Sequence, residues 1–357
     1  MSVPVISTVL LTEHNTADWA RRFADGEVPA ALPYGVDHLG SLGYDLRPVD
    51  ASPGGLEAKI RDVAEHRTGI AIHRPLRAAP AIRRRDLVLA LLEKQGLFAG
   101  RLKGLKVPPY RKTPLVIWSC WLADDLRTAD ANTRRRTRRD LEAVDLITHL
   151  SRHETEIFGE IGIGPERLFS VTYGVSHRYY SPDGRQRDIE VLAVGQDRGR
   201  DYRTLFDAIR GTEITVDLVC KPENLLGLEV PPNVRVHGTV PLPEYRTLLR
   251  RAKVVAVPTR DLAYPTGSSV ALEAASSGCA VVVTGTRAMR DYFDGGRNAV
   301  FVDEGDAEGW REALRAVAQP ELRDRLGEQA RENVVSRFNA DFMWTELAAE
   351  MRRRGIV

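Results

Sequence analysis

The chain has 357 residues, 43% hydrophobic and 28% charged. That leaves room for two domains with buried cores and excludes extended disorder. Its 51 Lys and Arg against 49 Asp and Glu give a formal net charge of +2, so overall charge singles out no partner.

Three cysteines, Cys120, Cys220 and Cys279, lie far apart in apolar runs. Neither a disulfide framework nor a zinc site has such spacing, and a reducing cytoplasm is the expected location. Met1 to Leu11 is apolar but short, and it lacks a basic lead and a small-residue cleavage site. No apolar run reaches the ~18 residues that span a bilayer. A soluble, cytoplasmic protein is expected, attached at most to the inner membrane surface.

In chain order, Val5 to Leu11 is the first expected strand, and Tyr34 to Leu42 is expected to be helical with a stop at Gly43. Leu46 to Val49, Gly69 to His73, Pro114 to Trp118 and Asp145 to His149 continue the strand series. Tyr179 to Gln186 is turn-rich and polar and is assigned as a linker. A second series follows with Ile189 to Val194, Ile214 to Cys220, Val234 to His237, Val254 to Val257, Ala280 to Val283 and Ala299 to Val302. Short apolar runs separated by crossover-length stretches predict an α/β protein of two doubly wound parallel-sheet domains facing a cleft. Their expected bounds are 1–182 and 187–340.

Three segments are strongly basic: Arg83 to Arg85, Arg101 to Lys112, and Arg134 to Arg139. Solvated faces are the ordinary reading of such runs. A patch that meets anionic lipid or an acidic acceptor is the alternative. Nucleic acid is not expected, because no recognition motif or aromatic interleaving accompanies the charge.

The segment from Thr266 to Val283 carries the most chemistry. Thr266, Gly267, Ser268, Ser269 and Val270 form a loop entering a helix, and small residues there let free N–H groups approach an anion such as a diphosphate. Glu273, about two turns in, is a lone carboxylate on an apolar helix, and its two oxygens suit the vicinal hydroxyls of a ribose. An ordinary serine-capped helix with a satisfied glutamate is the plainer alternative. A second turn, Gly195 to Leu205, follows the strand ending at Val194 and brings Arg198 and Arg200 to the carboxyl end of the sheet. A guanidinium there matches phosphate oxygens and can neutralise a departing diphosphate.

In order, His149-Leu150-Ser151, Ile163 to Val175, Val194 to Leu205, Val236 to Val240, Val257 to Thr259, and Leu272-Glu273-Ala274 with Gly278 resemble the successive signatures of the family-4 glycosyltransferases. These are retaining enzymes of GT-B architecture. The resemblance covers nearly all of the second half. It implies that Glu273 binds the donor ribose, that Gly267, Ser268 and Ser269 meet the diphosphate, and that Arg200, with Arg198 as second candidate, is the basic phosphate ligand. Lys221 and Val240 would lie near the base. Phe338 to Arg354 looks like the closing helix, so 341–357 is expected to return to the N-terminal domain.

The resemblance implies no cofactor and no metal, with a nucleotide-diphosphate sugar as co-substrate whose sugar passes to an acceptor small molecule or glycan. Two departures stand out. Pro265 occupies the place of the family's sugar-contacting glutamate, and Val116 to Trp121 lacks the histidine that many members carry there. Acceptor-side candidates are Glu13, His14, Asp37, His38 and His73, with Asp37 and His38 favoured as catalytic. The rival readings are a binding module without catalysis, a nucleotide-sugar epimerase and a phosphorylase. The last would need a lysine for pyridoxal phosphate, and in the C-terminal half only Lys221 and Lys253 are available.

Overall fold

A computed structural model describes residues 5–50 and 70–357. The chain divides into two compact units. The first comprises the described residues of Met1–Ala24, Ala30–Val171 and Trp344–Val357, and the second comprises Asp25–Pro29 and Thr172–Met343. Each is an α/β unit built on a six-stranded sheet whose strands are all parallel. These are two Rossmann-like units, as expected from the sequence.

In the first unit the strands are β1 Ile6–Leu11, β2 Tyr44–Val49, β3 Leu87–Leu91, β4 Leu115–Trp118, β5 Leu146–His149 and β6 Leu168–Ser170. Their spatial order is β2-β1-β3-β4-β5-β6. β3, β4 and β5 are buried at every position, as parallel strands covered on both faces must be.

Two expectations fail here. Gly69 lies outside the described residues, but Ile70 to Ile72 is not a strand and His73 opens the helix His73–Ile82. The strand is Leu87–Leu91 instead. Its unbroken apolar run lacks the alternation that distinguishes a strand from a buried helix. Tyr34 to Leu42 is not one helix either. Pro33–Gly35 is a 3₁₀ turn with Tyr34 at φ 59°, and only His38–Ser41 is helical. The chain does turn at Gly43, at φ 93°, and β2 starts immediately after it.

In the second unit the strands are β7 Ile189–Val194, β8 Val216–Val219, β9 Val234–Val236, β10 Ala252–Val257, β11 Ala280–Thr284 and β12 Val300–Val302. The order is β12-β11-β10-β7-β8-β9. The chain winds outward from β7 to β9, then returns to the other side of β7 with β10. Ligands in doubly wound sheets bind beyond the carboxyl ends of the strands at such a reversal, so the β7–β10 junction is the place to look.

The turn-rich stretch Tyr179 to Gln186 lies inside the second unit. Tyr180 is buried there, and its carbonyl accepts from Ser276 Oγ at 2.5 Å. No helix among the described residues is long and apolar enough to cross a membrane.

Candidate functional site

β7 leaves the sheet through Gly195, and the next turn folds back over its end. Asp197 organises that turn: Oδ1 accepts from the Gly199 amide at 3.0 Å and Oδ2 from Arg200 Nε at 2.8 Å. Across the junction the Arg200 backbone pairs with Thr259, just beyond β10, and the Asp201 amide donates to the Pro258 carbonyl at 3.0 Å. Arg200 is thereby pinned over the strand ends by backbone and side chain together.

Glycines make the room for it. A Cβ on Gly195 would lie 2.1 Å from Arg200 Nε, and one on Gly267 would lie 3.1 Å from its Nη1 and 2.4 Å from Val257 Cγ1. Gly267 also has φ +81°, which a side chain would strain. Gly199 is closed in the same way by Thr266, whose Cγ2 would be 2.6 Å from an added Cβ.

Arg200 is only 8% exposed. Burial works against its charge, but Asp197, followed by Tyr202, outweighs that effect and raises its pKa above the ordinary arginine value. Its Nη1 is buried with no hydrogen-bond partner.

Three hydroxyls in the stretch after β10 share that condition. Thr259 Oγ1, Thr266 Oγ1 and Ser268 Oγ are buried without a partner, and these residues are 1%, 2% and 1% exposed. A buried polar atom left unpaired costs about 1–3 kcal/mol, so four such atoms on two adjoining segments point to a missing polar ligand. The helix Ser268–Ser276 starts at the same place. The Ser268 amide is taken by the Pro265 carbonyl at 3.0 Å, and Ala271 makes the first ladder bond to Gly267. The helix itself therefore leaves the amides of Ser269 and Val270 unused, and both point toward its positive end. Ser269 is half-buried, whereas Val270 is buried.

Glu273 stands further along that helix and is partly exposed. Tyr245, from the helix Leu242–Arg251, donates its hydroxyl to Glu273 Oε2 at 2.6 Å, and Tyr180 also hydrogen-bonds the carboxylate. Burial pushes the Glu273 pKa up to about 7, against the lowering effects of Tyr245, Tyr180 and Arg200. The carboxylate is thus held by two tyrosines and poised to change charge near neutrality.

The structure brings together Gly195, Arg200, Thr266, Gly267, Ser268 and Glu273 from the sequence-based set. Arg198 is exposed on the same turn. Lys221 is exposed at the head of the 3₁₀ turn Pro222–Leu225, which follows β8, and Val240 packs half-buried against the core of this unit. In the first unit, Asp37 Oδ1 accepts from the Leu32 amide at 3.0 Å, and His38 Nε2 meets Thr345 Oγ1 at 3.1 Å.

Sequence reasoning missed Asp197, Tyr180 and Tyr245, and named Thr259 only as part of the Val257 to Thr259 signature. Asp197 was legible in principle, since an aspartate two residues before a glycine is a familiar start for a turn in which its side chain accepts from the backbone amide. Nothing local marks the two tyrosines.

Residues 186–319 match the family described as "Glycosyl transferases group 1". A stretch of 121 residues is 32% identical to D-inositol 3-phosphate glycosyltransferase of Corynebacterium jeikeium (strain K411). That match spans 34% of this chain and 27% of the relative's length. Among solved structures, the Anabaena protein Alr3699/HepE in complex with UDP and glucose superposes with a TM-score of 0.70 at 12% identity, covering 98% of this chain and 100% of that one. Sucrose-phosphate synthase from Thermosynechococcus elongatus gives 0.72 at 14% identity, covering 98% of each chain. Identities this low establish the shared fold alone. Residues 186–319, which contain every donor-side candidate from Gly195 to Glu273, carry the sequence pattern of the glycosyl transferases group 1 family.

Proposed function

We propose that this protein is a glycosyltransferase that binds a nucleotide-diphosphate sugar in its second unit and passes the sugar to a small-molecule or glycan acceptor. The observation that carries this reading is the group of buried, unpartnered polar atoms on Arg200, Thr259, Thr266 and Ser268 beside a helix start. A diphosphate supplies acceptor oxygens for all four. Arg200, fixed by Asp197, neutralises charge as it builds on the departing diphosphate and needs no rearrangement at that moment. The Ser269 and Val270 amides add the helix dipole. Glu273, steadied by Tyr245 and Tyr180, accepts from the ribose hydroxyls.

The match over residues 186–319 supports the class of reaction, and the relative's printed activity is of the same class. The finer assignment to family 4, with retention of configuration, follows from the resemblance of the sequence signatures. In that reading the acceptor attacks from the face the leaving group vacates. Asp37 and His38 are our candidates for acceptor contacts.

The test is a calorimetric screen of UDP, GDP, ADP and their sugars against the whole chain, followed by assay of diphosphate release. Saturable binding of one diphosphate, weakened in Arg200→Ala, is expected. Failure of every nucleotide diphosphate to bind would sink the proposal. Binding without release in the presence of any acceptor would instead favour a non-catalytic binding module.

A further inference from the structure

Far along the chain from the donor residues, the first unit carries a cavity of about 700 Å³. It opens between the helices Glu93–Gly104 and Ala131–Leu141. These helices touch at one end, where Gly100 lets them close: a Cβ there would lie 2.0 Å from the Asp140 carbonyl oxygen. Away from that contact, Lys94, Leu97 and Phe98 of one helix line the cavity with Thr133, Arg136 and Thr137 of the other. Each set follows helical spacing, so each occupies one face of its helix.

The lining is amphipathic. Leu97, Phe98 and Leu122, with Ile70 and Ile72, supply apolar wall. Four cations and two carboxylates complete the charge. Arg101 and Asp140 pair off, with Nε to Oδ1 at 2.8 Å and Nη2 to Oδ2 at 2.9 Å, and Asp125 is the other acid. On the same helix Arg134 is engaged with Glu160 and Arg138 with Glu142. Lys94, Arg136 and Arg139 make no ion pair among the described residues, and all three are exposed. Of this helix's arginines, Arg136 and Arg139 thus stand at the cavity wall without an acidic partner among the described residues.

We infer that this cavity binds one amphipathic anion, with an alkyl or similar apolar body against Leu97 and Phe98 and a phosphate or carboxylate head among Lys94, Arg136 and Arg139. The volume falls in the roughly 300–1,000 Å³ range of small-molecule sites. An apolar ligand alone would leave the cations uncompensated, and a bare anion would leave the apolar wall wet. A molecule with both parts satisfies the cavity. This site shares no residue with the donor set and stands whether or not the glycosyl-transfer reading holds.

The experiment is titration calorimetry on the whole chain with decyl phosphate below its micelle concentration, alongside decanol and inorganic phosphate. Saturable binding of one decyl phosphate per chain is expected, about tenfold or more tighter than either part alone and weakening as salt rises. The double variant Arg136→Glu/Arg139→Glu, whose residues are exposed, should lose about tenfold or more in affinity with an unchanged melting temperature. Lys94→Glu provides a second readout should the double variant melt early. Equal binding of decanol, undiminished binding by both variants, or no saturation overturns the inference. So does sedimentation with phosphatidylglycerol vesicles that decyl phosphate cannot compete, since the basic face would then meet a lipid plane and the cavity would be incidental.

Discussion

Arg200 lies directly against the bare α-carbon of Gly195, so that any Cβ placed there would come within 2.1 Å of its Nε and 2.3 Å of its Cζ. A Cβ on Gly267 would likewise lie 3.1 Å from its Nη1, so the guanidinium is flanked by two bare α-carbons. Gly195→Ala should therefore behave as an arginine-displacing substitution. A fall in nucleotide-diphosphate affinity of about tenfold or more is expected, equivalent to about 1.4 kcal/mol. Calorimetry on the folded variant checks it, and wild-type affinity would mean that Arg200 does not hold the phosphates.

Asp197 fixes Arg200 through Nε and ties the same turn through the Gly199 amide. Asp197→Asn keeps the shape but removes the charge that favours the guanidinium. Turnover should drop more than donor affinity, because the charge on the leaving group is largest in the transition state. Equal losses in kcat/KM and in ground-state binding would reduce Asp197 to a purely structural brace.

Between the two arginines of the turn, the buried one should dominate. Arg200→Ala should lower kcat by about a hundredfold or more, in the range seen when one charge-stabilising donor is removed, while Arg198→Ala has a smaller effect. The reverse result in steady-state kinetics exchanges the two roles.

Glu273 gives a pH signature with a defined sign. Its carboxyl titrates near 4.5 in an unfolded chain and at about 7 in the folded one. Below pH 4.5 it is protonated in both states. From 4.5 to 7 the folded chain holds more protons, so stability falls as pH rises through that window, by at most about 3 kcal/mol. Glu273→Gln should flatten this slope in denaturant melts recorded from pH 4.5 to 8. An unaltered slope would place the titrating group elsewhere.

The same titration should govern the donor. An ionised carboxylate accepts from two ribose hydroxyls better than a neutral acid, so nucleoside-diphosphate affinity should rise as pH increases through about 7. The wild type and Glu273→Gln should differ in this dependence, which cancels the ligand's own phosphate titration. Parallel pH profiles for the two proteins would remove Glu273 from the ribose contact.

The second sheet was legible in the sequence because its strands are bracketed by glycines and turns, and because Val281 to Val283 and Val254 to Val257 are β-branched or small runs of strand length. The helix entry at Gly267 was legible for a local reason too, since a glycine followed by two serines is a statement about backbone approach within one turn of chain. β3 was not, because Leu87 to Leu91 is buried on both faces and its composition serves a helix equally well. What only the tertiary structure decided is which polar atoms are left without partners. Arg200 and Thr259 meet because β10 returns beside β7, and Glu273 acquires Tyr245 and Tyr180 from 28 and 93 residues earlier in the chain. Burial and desolvation depend on everything packed around a group, so the raised Glu273 carboxyl and the unpartnered Nη1 of Arg200 are properties of the folded neighbourhood that no local stretch of sequence carries.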